Sequence, residues 1–381
     1  MTVERAAAIS DLRSIARRRL PKAVFDFIDG GAESEGTLLR NRTDFDAIEF
    51  APRVLRDVSH RQVGGLLLGR PTALPIAIAP TGLAALVWAQ ADLELARAAR
   101  AAGLPFTVSA SSSVRLESVR EAVPDARLWF QVYVYKDRDL VRSLIARAAA
   151  AQFEALVLTV DVPVLGQRHR DLRNRFTVPL RPTARLIWDL IRCPRWTMHV
   201  LRHGVPKMRN LTDGTRTDTS VASLANLMLR NMDASVTWED AARLRDIWPG
   251  KIILKGVLSP ADARLALSAG FDAIAVSNHG GRQLDGAPSA ISALPAIAEA
   301  VSKSVEVYLD GGVRCGSDIA KAIALGARGV MIGRATLYGV AAGGQPGVRR
   351  SLSILHAELD RCLALLGCAD VSSLDRSYIR G

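Results

Sequence analysis

The sequence is poor in cysteine, and none of its apolar runs is long enough to span a bilayer. Its four cysteines in 381 residues show no close pairing pattern, which indicates a reducing compartment rather than a disulfide framework. No Cys/His cluster has the spacing of a metal site, so no metal is expected. No signal peptide, tandem repeat or low-complexity tract is recognisable. These absences predict a cytoplasmic protein without a transmembrane or repeat architecture.

The chain does contain a series of short apolar runs rich in Val, Ile and Leu, as expected of strands buried on both faces. The eight candidate strands, with the residues at their carboxyl ends, lie at 75–82, 105–109, 128–133, 155–161, 251–256, 273–279, 305–312 and 329–334. Amphipathic helices are predicted between most of them, at 92–102, 116–123, 140–151, 260–269, 290–301 and 317–325. This alternation predicts an α/β fold, a (β/α)8 TIM barrel. A doubly wound sheet is the alternative, but a Gly-x-Gly-x-x-Gly turn is missing after the first strand.

The length of 381 residues exceeds the roughly 250 that such a barrel needs, so we predict one domain over 1–381 with extensions. The extensions are residues 1–74 before the first strand, the connection 162–250 after the fourth strand with a basic insertion at 165–230, and residues 335–381. A short helix is predicted at 9–19 and is stopped by Pro21. The last helix is predicted at about 347–366.

The segment 277–286 is the most informative strand end, because it places a hydroxyl, an imidazole and a guanidinium directly after an apolar run. At the carboxyl ends of parallel barrel strands, such residues lie where chemistry occurs. His279 can transfer a proton near neutral pH, and Arg282 can bind a carboxylate through two parallel hydrogen bonds. The pair suggests a small acid that is oxidised or deprotonated at its α-carbon. The alternative is a His-Gly-Gly turn followed by a solvated arginine.

The net charge of +12 is concentrated in residues 165–210, which hold eleven Arg or Lys and two Asp. Apolar residues such as Trp188 and Trp196 are interleaved with this charge, and Pro194 predicts two short helices rather than one. Helical spacing places five arginines roughly on one side: Arg181, Arg185, Arg192, Arg195 and Arg202. We interpret 178–210 as a contact with an anionic membrane surface. The alternative is a helical lid packed on its own protein or on a neighbouring subunit. Nucleic-acid binding is not expected, because no recognition motif is present.

Taken in order, the strand ends resemble the FMN-dependent α-hydroxy-acid dehydrogenase/oxidase family, over essentially the whole chain. The matching segments are 21–38, 78–82, 130–134, 158–161, 255–256, 277–285, 310–314 and 333–334. Single pieces such as Asp-Gly-Gly are common, but their joint order at eight strand ends is specific. The likeness is greatest to the membrane-associated mandelate and L-lactate dehydrogenases, and segments 233–238 and 333–338 favour the mandelate branch.

The resemblance implies FMN as cofactor and assigns roles to individual side chains. His279 would be the base, Asp161 would stabilise the imidazolium, and Tyr133 would contact the substrate oxygens. Arg282 and Arg168 would bind the substrate carboxylate. The cofactor-binding residues would be Thr81, Gly82, Ser109, Gln131, Thr159, Lys255, Ser277 and Asp310, with Gly311, Gly312, Arg314, Gly333 and Arg334 around the phosphate.

One position departs from the family pattern. Phe27 stands where the family usually has a tyrosine whose hydroxyl contacts the substrate carboxylate, and phenylalanine cannot donate a hydrogen bond. Weaker acid binding, or a larger and more apolar substrate, is expected. Gly82 matches the residue that the mandelate dehydrogenase pattern has at this position, whereas oxidases such as glycolate oxidase carry alanine there.

The expected activity is FMN-dependent oxidation of an (S)-2-hydroxy acid to the 2-oxo acid, with electrons passed to a membrane quinone. A soluble oxidase that produces hydrogen peroxide is the alternative. An FMN-binding barrel isomerase and a non-catalytic surface-binding protein are further hypotheses. The resemblance implies a homo-oligomer, a tetramer, and we expect it to be located peripherally on the inner face of the cell membrane.

Overall fold

The computed structural model describes residues 1–176, 184–211, 231–302 and 304–380, and of residues 184–187 the backbone alone. Eight parallel strands form a closed barrel in the order β3-β4-β5-β6-β7-β8-β9-β10, and β10 pairs with β3. These strands are β3 Ile76–Ile78, β4 Phe106–Ser109, β5 Leu128–Val132, β6 Ala155–Thr159, β7 Lys251–Val257, β8 Ala273–Ser277, β9 Glu306–Asp310 and β10 Gly329–Ile332. The predicted (β/α)8 barrel is confirmed, with all eight strands in their predicted places.

Helices surround the barrel and extend it. Those of the N-terminal extension are α1 Ile9–Arg19, α2 Lys22–Asp29 and α3 Gly36–Asp46. Those that follow strands are α4 Ala91–Ala101, α5 Leu116–Ala122, α6 Arg138–Ala150, α10 Trp238–Ile247, α11 Pro260–Ser268, α12 Ala290–Val301, α13 Gly316–Ala324 and α14 Arg334–Leu366, while the insertion carries α7 His169–Arg173, α8 Ala184–Arg192 and α9 Pro194–His203. Polar N-caps such as Asp137, Ser259 and Ser289 accept hydrogen bonds from the first turns and fix where helices begin.

The two helices α8 and α9 of the insertion were predicted correctly from the sequence, whereas the C-terminal helix was predicted only in part. Pro194 separates α8 from α9, as predicted. The last helix begins at Arg334, directly after β10, and non-helical backbone at Gly343 and Gly344 divides it. Only its second half was predicted. Arg181 lies outside the described residues and the Arg185 side chain is not described, so the predicted arginine face is visible only at Arg192, Arg195 and Arg202.

The barrel interior is apolar at one end and polar at the other. A short hairpin, β1 Gly65–Leu67 and β2 Arg70–Thr72, closes the amino-terminal end by packing Leu67 and Leu68 against Trp129 and Tyr308. At the carboxyl end, six neighbouring strands turn a polar side chain inward, whereas β3 and β10 contribute apolar Ala79 and Met331. The six polar residues are Ser109, Gln131, Thr159, Lys255, Ser277 and Asp310. In the described part of the chain, no helix is long and apolar enough to cross a bilayer.

One buried carboxyl outside the barrel interior affects stability. Asp92 lies in the first turn of α4 and is only 1% exposed. Burial raises the pKa of Asp92 to about 6, although hydrogen bonds from the Ser112 side chain and the Ser113 backbone favour its ionised form. In the unfolded chain the same carboxyl titrates near 3.8. Between these two values the unfolded state releases a proton that the folded state retains.

The folded protein should therefore lose stability from this group as pH rises from about 4 to about 6, by an amount on the order of 3 kcal/mol. Asp92→Asn removes the titration, so the difference in unfolding free energy between variant and wild type should shift in favour of the variant across this window. Urea unfolding of both proteins at several pH values measures the difference. Parallel pH curves for the two proteins would contradict the prediction.

Candidate active site

The polar end of the barrel contains a buried chain of hydrogen bonds centred on Ser277. Lys255 Nζ lies 2.7 Å from an Asp310 carboxylate oxygen and donates to Ser277 Oγ at 3.0 Å. Ser277 Oγ in turn donates to Asp310 at 2.7 Å. Burial opposes the charge on Lys255, but Asp310 and Asp161 outweigh it and raise the pKa of the amine. Lys255 is therefore a permanent cation inside the barrel.

His279 follows β8 and is held by two contacts. Its backbone N–H donates to Ser277 Oγ at 3.0 Å, and its Nδ1 lies 2.9 Å from Asp161 Oδ1. Burial disfavours the Asp161 anion, but the charges of His279 and Lys255 outweigh burial and lower the pKa of this carboxyl. An ionised Asp161 accepts a hydrogen bond from Nδ1–H and leaves Nε2 of the imidazole as the basic nitrogen. The predicted base and its partner are thus brought together.

Tyr133 follows β5 and lines the same cavity as His279. Its partly buried position and the nearby Asp161 carboxylate raise the pKa of the Tyr133 phenol. The phenol therefore stays neutral at physiological pH and can donate a hydrogen bond to a substrate oxygen.

Two guanidinium groups face the cavity from different elements. Arg168 precedes α7 and donates from Nε to Asp171 at 2.7 Å, while Arg282 donates from Nη1 to the carbonyl oxygens of Phe27 and Gly30 at 2.8 and 2.9 Å. Burial, followed by repulsion from Arg168, lowers the pKa of Arg282 well below its ordinary value. Two cations that repel each other beside a cavity favour an anion between them, as the predicted carboxylate site requires.

The ring of Phe27 contacts both cations. Its ring centroid is 5.6 Å from Arg168 Cζ and 5.2 Å from Arg282 Cζ, distances at which a cation and an aromatic face attract. The ring also stacks on Phe176 at 4.7 Å. Phe27 therefore lines the cavity, and its side-chain contacts there are aromatic rather than hydrogen-bonded.

The loops after β9 and β10 form the other end of the cavity. Gly311 and Gly312 have φ values of +127° and +85°, and a Cβ on Gly312 would lie 2.0 Å from the carbonyl oxygen of Asn41. Only glycine fits this turn. Arg314 lies close to the start of α13, while Gly333 precedes the first turn of α14, so two helix N-termini meet where phosphate binding was predicted.

With the exception of Ser277 and Asp161, which lie behind Lys255 and His279, these groups line one cavity of about 650 Å³ at the carboxyl ends of the strands. Thr81, Gly82 and Ser109 also line it, and Gln131 and Thr159 stand beside it in the polar layer. Gln131 Nε2, Thr159 Oγ1 and Asp161 Oδ2 are buried and find no hydrogen-bond partner among the described residues. A ligand that satisfies these atoms is therefore expected.

The arrangement fits FMN. Its ring would meet the unpartnered amide and hydroxyl and the Lys255 cation, and its phosphate would meet the glycine turns and helix N-termini. The size of the cavity is within the range of small-molecule sites. Within the described residues, no cluster of His, Cys, Asp or Glu could hold a metal ion.

Several residues at the site were not predicted from the sequence. Asp171 binds Arg168, and the carbonyl oxygens of Ile28 and Gly30 bind arginines. Met208 and Met232 line the cavity from the connection 162–250. The short spacing of Arg168 and Asp171 could have indicated their ion pair, but backbone acceptors carry no sequence signal.

Comparisons with known proteins agree with the geometry. The model of the FMN-dependent dehydrogenase family matches residues 16–381. The chain is 43% identical to (S)-mandelate dehydrogenase of Pseudomonas putida over 373 residues, covering 98% of this chain and 93% of that protein. It is 43% identical to L-lactate dehydrogenase of Caulobacter sp. (strain K31) over 374 residues, covering 98% of each.

Solved structures of similar proteins have the same fold over almost the whole chain. A crystal structure of (S)-mandelate dehydrogenase, described as a monotopic membrane protein, superposes with a TM-score of 0.95 at 42% identity over 99% of both chains. A soluble mutant of the membrane-associated (S)-mandelate dehydrogenase from Pseudomonas putida gives a TM-score of 0.86 at 40% identity, over 98% of this chain and 99% of that one. The predicted resemblance and the FMN cofactor are confirmed, and the chain belongs to the FMN-dependent dehydrogenase family.

Proposed function

We propose that the protein oxidises an (S)-2-hydroxy acid to the 2-oxo acid and passes the electrons to a membrane quinone. The observation that carries the proposal is the convergence on one cavity of a carboxylate-supported imidazole, His279, and two guanidiniums, Arg168 and Arg282. A base beside a two-cation site fits an acid whose reacting carbon is adjacent to its carboxylate. The names of two relatives, mandelate and L-lactate dehydrogenase, agree with this substrate class.

The residues of the chain divide the work between binding and proton transfer. Arg282 and Arg168 hold the carboxylate and thereby fix the α-carbon. His279 Nε2 accepts a proton from the substrate, and ionised Asp161 stabilises the imidazolium that results. Tyr133 donates a hydrogen bond to a substrate oxygen. FMN, when bound, supplies the acceptor for the two electrons that leave the α-carbon.

His279→Asn should retain flavin and lose turnover, by roughly 10²–10⁴-fold in kcat, because asparagine tolerates the left-handed backbone but cannot take the proton. His279 has a φ of +58°, which makes asparagine a better choice than alanine. Anaerobic stopped-flow reduction of the flavin by mandelate and lactate measures the effect. His356→Asn, at an exposed position of α14, is the matched control. Reduction of His279→Asn at a near-wild-type rate would refute His279 as the base.

Phe27→Tyr should strengthen binding of the substrate carboxylate, because it restores the hydroxyl that the family usually places there. A hydrogen bond to a charged group is worth roughly 1.5–3 kcal/mol, so Kd should fall by about tenfold or more. Titration of the flavin absorbance with 2-oxo acids of different side-chain size measures this. Phe50→Tyr provides a control that lies outside the cavity. An unchanged Kd would show that the tyrosine hydroxyl has no carboxylate partner here.

The quinone part of the proposal is supported by the exposed face of α8 and α9. This face carries Trp188, Ile191, Met198 and Leu201, which are 49–74% exposed, beside Arg192, Arg195 and Arg202. Trp196 anchors the helix pair by donating from its indole to the Leu86 carbonyl at 2.7 Å. An anchored pair of helices with apolar and cationic residues outside is suited to an anionic membrane surface. The match to a monotopic membrane protein agrees with this location.

Replacing Trp188, Ile191 and Leu201 by glutamate should weaken binding to phosphatidylglycerol vesicles by at least about tenfold, because each side chain loses an apolar contact worth roughly 1.5–3 kcal/mol. Flavin reduction by substrate should be unchanged, since none of the three lines the cavity. Leu365→Glu is the control, because Leu365 is 73% exposed on α14. Vesicle co-sedimentation measures binding. Equal sedimentation of the triple variant and wild type would contradict a membrane role, and oxygen consumption undiminished by a quinone analogue would favour an oxidase.

A further inference from the structure

The guanidinium of Arg334 is buried and bound by backbone carbonyls. Its Nε donates to Ile28 at 3.1 Å, its Nη1 to Gly280 at 2.8 Å and its Nη2 to Gly30 at 2.7 Å. Among the described residues, no carboxylate lies within ion-pair distance of it. Backbone carbonyls therefore supply the hydrogen-bond acceptors for this buried cation. Its three directed donors therefore indicate that the side chain fixes the backbone around it.

The carbonyl of Gly30 joins Arg334 to the substrate site. The same oxygen accepts a hydrogen bond from Arg282 Nη1 at 2.9 Å, and that nitrogen also donates to the Phe27 carbonyl at 2.8 Å. Residues 27–30 are the C-terminal end of α2, where helix carbonyls lack intrahelical partners and carry partial negative charge. One helix end thus orients both guanidiniums.

The carbonyl of Gly280 joins Arg334 to the catalytic turn. His279, Gly280 and Gly281 are consecutive residues with left-handed backbone, at φ values of +58°, +66° and +73°. A Cβ on Gly280 would lie 2.6 Å from Arg334 Nη1, so the guanidinium is packed directly against the turn. The N–H of Ala32 donates to the Gly281 carbonyl at 2.8 Å and holds the turn from the N-terminal extension.

We propose that Arg334 is a positioning residue for the substrate-carboxylate site, which fixes the end of α2 and the turn 279–282 so that Arg282 meets the carboxylate. The inference rests on the proposed function, in which Arg282 binds that carboxylate. Arg334 acts through the carbonyls of Gly30 and Gly280 and does not touch the substrate. Because Arg334 is also the first residue of α14, beside Gly333, it connects the predicted phosphate end of the cavity to the acid end.

Arg334→Lys tests the inference in the FMN-loaded protein. A lysine ammonium places its donors on one atom and cannot reach three carbonyls that surround a planar guanidinium. The Kd of phenylglyoxylate, measured from the flavin absorbance, should rise roughly tenfold, whereas the Kd of the neutral phenylglyoxylamide should change little. Arg350→Lys is the matched control, since Arg350 lies on the same helix and donates to the Ala6 carbonyl, at 2.9 and 2.6 Å, away from the cavity.

A double-variant cycle with Arg282→Lys tests whether Arg334 affects carboxylate binding through Arg282. If Arg334 acts through Arg282, the double variant should bind phenylglyoxylate about as weakly as Arg282→Lys alone. Fold-changes that multiply independently would overturn the inference. A variant that retains FMN less tightly but binds phenylglyoxylate as wild type does would also overturn it, because Arg334 would then serve the cofactor alone.

Gly280→Ala provides a second variant if Arg334→Lys does not fold, since the added Cβ displaces the guanidinium from the other side. It should weaken phenylglyoxylate more than the amide, and equal effects on both ligands would overturn the inference. The wild-type protein separates the two proposals. If it binds no 2-oxo acid and no 2-hydroxy acid reduces its flavin, the proposed function fails. If it does both and the variants bind normally, only the positioning role fails.

Discussion

The site depends on hydrogen bonds to the backbone carbonyl groups at the C-terminal end of α2. Phe27, Ile28 and Gly30 each accept a hydrogen bond from an arginine at the carboxyl end of the barrel, more than 250 residues away along the chain. These bonds partly compensate for burying two guanidiniums and fix the direction of both. The N-terminal extension is therefore an integral part of the site, because it supplies backbone acceptors to both guanidiniums.

A second network connects α2 to the insertion. Asp29 is buried and binds Arg13 at 2.6 and 2.8 Å, Arg170 at 2.9 Å and the Tyr338 hydroxyl at 2.7 Å. Burial opposes ionisation of Asp29, but its hydrogen bonds to Arg13 and Tyr338 outweigh it and lower the pKa of the carboxyl. Arg170 lies on α7, two residues after Arg168. The C-terminal end of α2 therefore holds Arg168 through Arg170, and it contacts Arg282 and Arg334 directly.

The sequence predicted the barrel because apolar runs and strand ends are local signals. It also predicted the pairing of His279 with Asp161, although 118 residues separate them, because the family pattern relates their two strands. It did not predict the partners of Arg334, since a backbone carbonyl has no residue identity to read. The hairpin at 65–72 was missed because its strands have three residues each, and the first half of α14 was missed because Gly343 and Gly344 interrupt its pattern.

The uneven distribution of polarity around the barrel mouth has a consequence for anything planar that enters it. Strands β4 to β9 form a continuous arc of hydrogen-bonding side chains, while β3 and β10 complete the circle with Ala79 and Met331. A flat heterocycle with one polar edge and one apolar edge can make all of its hydrogen bonds in only one orientation. Turning it over would bury its polar atoms against hydrocarbon. The barrel mouth therefore favours one orientation of such a heterocycle, with a single face turned toward the guanidiniums.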